Sequence, residues 1–311
     1  MLVAGIDEAG YGPLLGPLVV AATAFRVTGA SQDPFAARIG RACSACRLVV
    51  GDSKRVFGPT KDLARLERPL LAFLAAAGQA PRTLDDLLAC VGVDPAVRRS
   101  APWYGGEPSA FPLRADASDA HETGLALRAA LAAEGVEFVG AAADVVAESR
   151  FNAALDDGNK ADALFAVSTT VFERVASRRC DGDPLVAVFD RHGGRRRYAT
   201  SLQRRWPESL SWTLGETPRR SDYRLQLDGA ATEVSFVVEA DHEFPQVGLA
   251  SMLAKYLREA FMERFNEYFA RLAPGVTPTA GYVEDGRRWL EATRGARASA
   301  GVPDSELVRR A

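Results

Sequence analysis

The sequence predicts an α/β protein in which helices flank a mixed β-sheet. Apolar runs near the start of the chain follow one another as a hairpin would, and later apolar runs alternate with segments of helical periodicity. The chain has 311 residues, of which 47% are hydrophobic and 25% charged, enough for a well-buried core. This composition excludes disordered chains, collagen-like repeats and small disulfide scaffolds.

The first elements follow from these runs. Residues 2–6 and 17–25 are apolar and flank a segment rich in glycine and proline, so we predict two paired strands. We also predict a short buried strand over residues 47–51. Leucines at helical spacing predict a helix over residues 60–77, in which Pro69 should cause a kink or a break.

The segment 78–120 is rich in proline and is expected to be an insertion of irregular structure. Beyond it, periodicity predicts the remaining elements. They are helices over residues 125–133, 159–178, 247–272 and from about 283, and strands over 136–146, 184–189, 223–227 and 233–238.

Charge and cysteine content indicate a cellular location but do not identify a binding partner. The formal net charge is −2, so no overall positive field indicates nucleic acid, although arginines cluster within residues 191–197. The chain has 4 cysteines and no charged-then-apolar leader, which favours a reducing, cytoplasmic location. No apolar run approaches the roughly 20 residues that a membrane helix needs, so we expect no membrane association.

Four acidic residues each follow or close an apolar strand: Asp7, Glu8, Asp190 and Asp241. Strand ends meet at one rim of an open sheet, which is where such sheets bind ligands. Converging carboxylates repel one another unless cations neutralise them, and hard oxygen ligands suit Mg²⁺ or Mn²⁺. A single acid of this kind is more often solvated or caps a helix, so the prediction of a metal site depends on all four.

Neighbouring residues on a strand point to opposite faces, so Asp7 and Glu8 should share a site only if the strand ends or bulges between them. The glycines and proline that follow would supply that departure and let the backbone approach a ligand. A turn that merely closes a hairpin is an equally good explanation of this segment by itself.

These segments together resemble a known family, the type 2 ribonucleases H, and ribonuclease HII in particular. Residues 5–17 (GIDEAGYGPLLGP) are similar to the family's first strand and signature loop, and residues 52–54 to its Asp-Ser-Lys element. Asp241, followed ten residues later by Ser251 and then by Arg258, is similar to its last catalytic aspartate and the alanine-rich helix beyond.

The resemblance implies a ribonuclease H-like fold and a two-metal site with Mg²⁺ or Mn²⁺. It implies cleavage of RNA in RNA–DNA hybrids, or at ribonucleotides embedded in duplex DNA, with 5′-phosphate products. Asp7, Glu8, Asp190 and Asp241 would be the catalytic, metal-binding carboxylates. We expect a monomer whose catalytic domain covers residues 1–272, with insertions near 78–120 and 191–228. Residues 273–311 would form a helical extension that contributes to substrate binding.

Further residues are expected to bind the nucleic acid. Most lie in the segments that resemble the family, and Tyr282 belongs to a Gly-Tyr element that would pack its ring on a sugar. The set is Gly10, Tyr11, Gly12, Lys54, Arg191, Arg195, Ser251, Lys255 and Tyr282.

The sequence also departs from the family pattern. Tyr11 stands between the two glycines where the family has a basic residue, usually arginine, so the substrate preference is open. Asp190 and Asp241 are 51 positions apart, longer than expected, which is why residues 191–228 are read as an insertion. Its arginines could bind phosphate or form a solvated loop, and Tyr282 could equally be a packing residue at a helix start. His192 is expected in the solvated loop.

A second function class stays open at this point. A relative that binds nucleic acid without cleaving it could use the same groove. Such a protein would gain from losing negative charge where phosphates dock, so four retained carboxylates favour an enzyme.

Overall fold

The computed structural model describes residues 1–28, 32–58, 61–107, 109–156 and 158–310. Over these residues it contains one seven-stranded mixed sheet with the order β3-β2-β1-β4-β7-β6-β5. The strands are β1 (Leu2–Ala9), β2 (Leu18–Val27), β3 (Val136–Val146), β4 (Leu185–Asp190), β5 (Leu210–Glu216), β6 (Arg220–Leu227) and β7 (Ala230–Val237). The predicted fold class, a mixed sheet flanked by helices, is confirmed.

Helices cover both faces of this sheet. They are α1 (Phe35–Ala45), α2 (Ser53–Phe57), α3 (Ala64–Ala76), α4 (Leu84–Cys90), α5 (Ala117–Ala133), α6 (Glu148–Ala154), α7 (Lys160–Ala176), α8 (Ala199–Arg205), α9 (Ala240–Glu243), α10 (Pro245–Leu272), α11 (Val283–Ser299) and α12 (Asp304–Leu307). Two 3₁₀ turns, Pro95–Arg99 and Pro102–Tyr104, add to them. None of the helices over the described residues has the length and apolar character needed to cross a bilayer.

Strand direction brings the acidic residues to one edge of the sheet. β1 runs antiparallel to β2 but parallel to β4, and β4 runs parallel to β7. The carboxyl ends of β1, β4 and β7 therefore lie side by side. Asp7 and Glu8 lie near the end of β1, Asp190 ends β4, and Asp241 follows β7 within α9.

The alternation of strand side chains divides the core into two layers. On one face, Val19, Ala21 and Phe25 of β2 pack with α1, α3, α5 and α10. On the other face, Leu2, Ala4 and Ile6 of β1 pack with α7. Burial on both faces explains why β1 and β2 appear in the sequence as continuous apolar runs.

The helix α10 approaches the sheet so closely that only glycine fits beneath it. A Cβ atom on Gly5 would lie 2.3 Å from the carbonyl carbon of Gln246 and 2.4 Å from the nitrogen of Val247. Beside this contact, the Thr23 hydroxyl donates a hydrogen bond of 2.7 Å to the Gln246 carbonyl. The start of α10, which follows Asp241, is thereby fixed against β1, which carries Asp7.

Several local predictions are wrong. Residues 47–51 form no strand; they are an irregular segment that leads into α2. The helix α3 continues through Pro69 because its buried residues, among them Leu66, Leu70 and Leu74, keep it packed on the core. The expected irregular segment 78–120 contains α4, the start of α5 and the buried residues Trp103 and Tyr104.

The segment 191–228 forms α8, β5 and β6, and the two strands extend the sheet beyond β7. The predicted strand over 223–227 lies within β6, whereas the sequence analysis missed α8 and β5. Alternating Leu210, Trp212 and Leu214 are a period-two signal that could have predicted β5. Thr60, Pro108 and Ala311, which fall within predicted segments, lie outside the described residues. The domain division at residue 272 stays a prediction.

Replacing Gly5 by alanine should lower the free energy of unfolding by about 3 kcal/mol, because the added methyl group meets the backbone of α10, which cannot rotate away. Chemical denaturation of the purified protein measures this change. The control is Gly40→Ala in the exposed part of α1, where an added Cβ has no neighbour within 4 Å. We expect that variant to be as stable as the wild type or slightly more so. Equal stabilities of the two variants would contradict the close contact.

Candidate metal and nucleic-acid site

Three of the four predicted carboxylates form one compact cluster. One oxygen from each of Asp7, Glu8 and Asp190 lies within 4.8 Å of the others. The expectation that β1 must end or bulge between Asp7 and Glu8 is wrong. The strand continues to Ala9, and its pairing with β2 is regular there. The Glu8 amide donates a hydrogen bond of 2.7 Å to the Asp7 carboxylate, so the Asp7 side chain turns forward along the strand toward Glu8.

A tight turn brings Asp241 to the same edge. Glu239, with φ 56°, adopts the left-handed conformation and redirects the chain from β7 into α9. The amide of Ala240 then donates a hydrogen bond of 2.9 Å to Asp190, which ties the turn to the end of β4. The next residue, Asp241, faces the cavity that the cluster lines.

Asp241 also belongs to a second group of ligand atoms. One atom from each of Asp52, Asp241 and His242 lies within 4.8 Å of the others, and His242 Nε2 is 3.2 Å from Asp52 Oδ2. The Ser251 hydroxyl lies 3.0 Å from the Ser53 hydroxyl and 3.4 Å from the Asp241 carboxylate. The sequence analysis includes Asp52 only as part of the Asp-Ser-Lys segment and does not assign His242 to the site. The adjacency of His242 to Asp241 was the available signal.

All four carboxylates line one cavity of about 470 Å³. It opens between the ends of β1 and β4 and the start of α10. Its lining residues include Asp7, Glu8, Gly10, Tyr11, Gly12, Asp52, Ser53, Lys54, Asp190, Glu239, Asp241, His242, Ser251, Lys255, Arg258 and Tyr282.

Burial and mutual repulsion raise the pKa values of these acids. Burial raises the pKa of Glu8 to about 8, with the charge of Asp190 adding to the effect and Lys54 opposing it. Burial likewise raises the pKa of Asp190 to about 6. The pKa of Asp7 lies well above its usual range because of burial and then of Glu8, and that of Asp241 is raised by burial and by Asp52.

This excess of buried negative charge fits a divalent cation. The donors are hard carboxylate oxygens with one neighbouring imidazole, which suits Mg²⁺ or Mn²⁺ rather than a soft metal. A cation placed among the carboxylates would favour their charged forms and remove the cause of the raised pKa values. The residues present therefore fit the metal that the sequence predicts.

A glycine loop, residues 10–16, forms one wall of the cavity. Gly10 has φ 88°, and a Cβ there would lie 2.5 Å from the Pro17 carbonyl, so the loop needs glycine at this position. Two buried arginines hold it. Arg258 lies beneath Gly10 and donates to the Ala280 carbonyl at 2.9 Å, and Arg309 donates to the carbonyls of Gly10 and Tyr11.

Most of the predicted substrate-binding residues line this cavity. They are Gly10, Tyr11, Gly12, Lys54, Ser251, Lys255 and Tyr282. The Tyr282 side chain is 51% exposed at the start of α11, and the Arg258 guanidinium lies 5.6 Å from its ring centre. The Lys255 ammonium pairs with Glu259 at 2.7 Å. Tyr282 thus exposes part of its ring at the cavity that the acids line.

The structure does not bring Arg191 and Arg195 into the cavity. The buried Arg191 guanidinium donates to the Pro218 carbonyl, and Arg195 pairs with Asp162. The expectation that His192 is solvated is wrong, because its ring is 1% exposed among aromatic rings such as Tyr198 and Phe236. Burial lowers the pKa of His192 to about 3, so its ring is neutral. Arg191 thus ties the loop after β4 to the turn between β5 and β6, and Arg195 ties it to α7.

Comparisons with known proteins give a resemblance in fold at low identity. No protein-family model matches the sequence, and no curated protein is significantly similar to it. RNase HII of Archaeoglobus fulgidus, solved in complex with PCNA, is 16% identical, with a TM-score of 0.42 over 99% of this chain and 94% of that one. Ribonuclease H2 from Pyrococcus horikoshii is 15% identical, with a TM-score of 0.44 over 100% of this chain and 93% of that one. Bst-RNase HIII in complex with Mn²⁺ is 14% identical, with a TM-score of 0.44 over 99% of this chain and 66% of that one.

Proposed function

We propose that this protein is an endonuclease that depends on divalent metal ions and cleaves RNA in RNA–DNA hybrids or at ribonucleotides embedded in duplex DNA, leaving 5′-phosphate products. One observation carries the proposal: the oxygens of Asp7, Glu8 and Asp190 lie within 4.8 Å of one another. Asp241, in α9 after β7, lines the same cavity.

The acids are arranged to hold cations and not to act as isolated acids or bases. They come from three chain segments that are fixed by strand pairing and by the bond between Ala240 and Asp190. Cations bound here would supply an activated water and stabilise the negative charge on the departing 3′ oxygen. The protein itself then needs no nucleophile, and its acids serve to hold the reacting centre in a fixed geometry.

Other lining residues would position the nucleic acid. Lys54 lies close enough to the acids to lower the pKa of Glu8, so its ammonium could also meet a backbone phosphate at the cavity. Tyr282 offers its ring to a sugar. Tyr11 stands in place of the basic residue usual in the type 2 ribonucleases H, which would weaken phosphate anchoring. We therefore expect poorer discrimination for a lone ribonucleotide than is usual in that family, which a comparison of the hybrid with the single-ribonucleotide duplex measures.

The alternative is a relative that binds nucleic acid without cleaving it. Burying four carboxylates where phosphates dock would weaken such binding, so their presence favours catalysis. An assay of cleavage with and without divalent metal ions distinguishes the two functions.

Asp7→Asn should reduce Mg²⁺- or Mn²⁺-dependent cleavage by at least about a thousandfold, because it removes a central ligand while keeping the size of the side chain. The assay uses labelled RNA–DNA hybrid, duplex DNA with one ribonucleotide, and DNA alone, each with Mg²⁺, Mn²⁺ or EDTA. The matched control is Asp181→Asn, an exposed acid in the turn before β4, which should cleave like the wild type.

Cleavage by the wild type in EDTA, or full activity of Asp7→Asn, would reject the metal site. Tight binding of the hybrid without any cleavage under all metal conditions would favour the non-catalytic alternative. Cleavage of DNA alone at the same rate as the hybrid would reject the substrate class.

The stability of the metal-free protein should fall as the pH rises from about 4 to 8. The pKa values of Asp190 and Glu8 are about 6 and about 8 in the folded protein, against about 4 in the unfolded chain. Over this interval the folded state binds more protons than the unfolded state, so raising the pH favours unfolding. We expect the melting temperature in EDTA to fall by roughly 5 °C over this interval. Added Mn²⁺ should restore most of that loss at pH 8.

Glu8→Gln is the matched variant for this effect. It removes one of the charges, so its melting temperature in EDTA should depend less on pH, and Mn²⁺ should stabilise it less than the wild type. Parallel pH curves for the two proteins would show that the acidic cluster is not the cause.

A further inference from the structure

We propose that Arg309 is a positioning residue that orients the backbone of the glycine loop for contact with the substrate, an inference that rests on the proposed function. Arg309 lies near the end of the described chain, far in sequence from every motif of the site. Nothing in the local sequence around it indicates such a role.

The contacts of Arg309 are specific to this loop. Its side chain is 2% exposed, and its guanidinium donates to the Gly10 carbonyl and, at 3.2 Å, to the Tyr11 carbonyl. The Arg309 amide donates a third hydrogen bond, of 2.8 Å, to the Leu14 carbonyl. One residue thus binds three of the loop's carbonyl groups.

Fixing the carbonyls also fixes the amides. In a trans peptide unit the C=O of one residue and the N–H of the next point in opposite directions. With the carbonyls of Gly10 and Tyr11 directed at Arg309, the N–H groups of Tyr11 and Gly12 point away from it. Neither N–H has an acceptor among the described residues, so both are free to donate to an oxygen of a nucleic acid.

Arg309 is held behind the loop and outside the cavity. Its guanidinium lies 3.9 Å from the ring centre of Phe151 in α6. The flanking backbone is fixed to Asn152, which donates to the Val308 carbonyl at 2.9 Å and accepts from the Arg310 amide at 2.7 Å. Gly10, Tyr11 and Gly12 line the cavity, whereas Arg309 is not among its lining residues. It therefore acts through the loop and not on the substrate.

The test compares Arg309→Lys and Arg309→Gln with the wild type. Lysine keeps the positive charge but lacks the forked guanidinium that reaches two carbonyls, and glutamine lacks both the charge and the guanidinium. We expect kcat/KM for duplex DNA with one ribonucleotide to fall about tenfold in the lysine variant and about a hundredfold in the glutamine variant. Mn²⁺ affinity, measured by calorimetry, should stay within twofold of the wild type.

Two further measurements separate positioning from general stability. Amide hydrogen exchange at Leu14, Leu15 and Gly16 should be at least about tenfold faster in Arg309→Gln, with β1 unchanged. The control is Arg310→Gln, on the same tail, because Arg310 contacts Asn152 and Asp156 and not the loop. It should match the wild type in cleavage and in exchange of the loop.

The proposal would be overturned if Arg309→Gln kept the wild-type rate of amide exchange in the loop and the wild-type kcat/KM. An equal loss of kcat/KM in Arg310→Gln would also overturn it. A loss of Mn²⁺ affinity parallel to the loss of cleavage would assign Arg309 to the acidic cluster instead. If the wild-type protein shows no cleavage at all, the proposed function fails, and the exchange experiment still decides whether Arg309 orders the loop.

Discussion

The repulsion between carboxylates buried at one edge of the sheet is the constraint on which the rest of this structure depends. Burial and neighbouring charge raise the pKa values of Asp7, Glu8, Asp190 and Asp241 together. A protein pays for such an arrangement in stability, because each buried negative charge loses its hydration and faces like charges. Cations bound there would offset that cost, which would couple the stability of the site to its proposed chemistry.

Close packing around the cluster opposes this repulsion. Gly5 lets the start of α10 lie directly on β1, and the Ala240 amide joins the turn after β7 to the end of β4. On the other side, Arg258 and Arg309 hold the glycine loop from two directions. The acids and the loop are thus placed by separate sets of contacts, so a change in one need not disturb the other.

The sequence predicted the acidic residues of the site better than its basic residues. Strand-end acids are recognisable because an apolar run followed by a charge defines where a strand ends. The arginine run at 191–197 gave no comparable guide, since a basic side chain can turn either toward a ligand or toward its own loop, as Arg191 does. Arg309 carries no local pattern at all. The hairpin β1–β2 and most later elements follow from periodicity, whereas the strand predicted over 47–51 did not form, because an apolar run alone does not provide a pairing partner.

By itself, the sequence determined most strands and the longer helices, their buried faces and the strand-end position of the four acids, because these depend on neighbouring residues and on hydrophobic periodicity. Only the tertiary structure decided which side chains share the cavity. It placed Asp52 and His242 beside Asp241, turned Arg191 and Arg195 away, buried His192, and brought Arg309 to the glycine loop. Those outcomes depend on contacts between residues up to 299 positions apart, which no local pattern encodes.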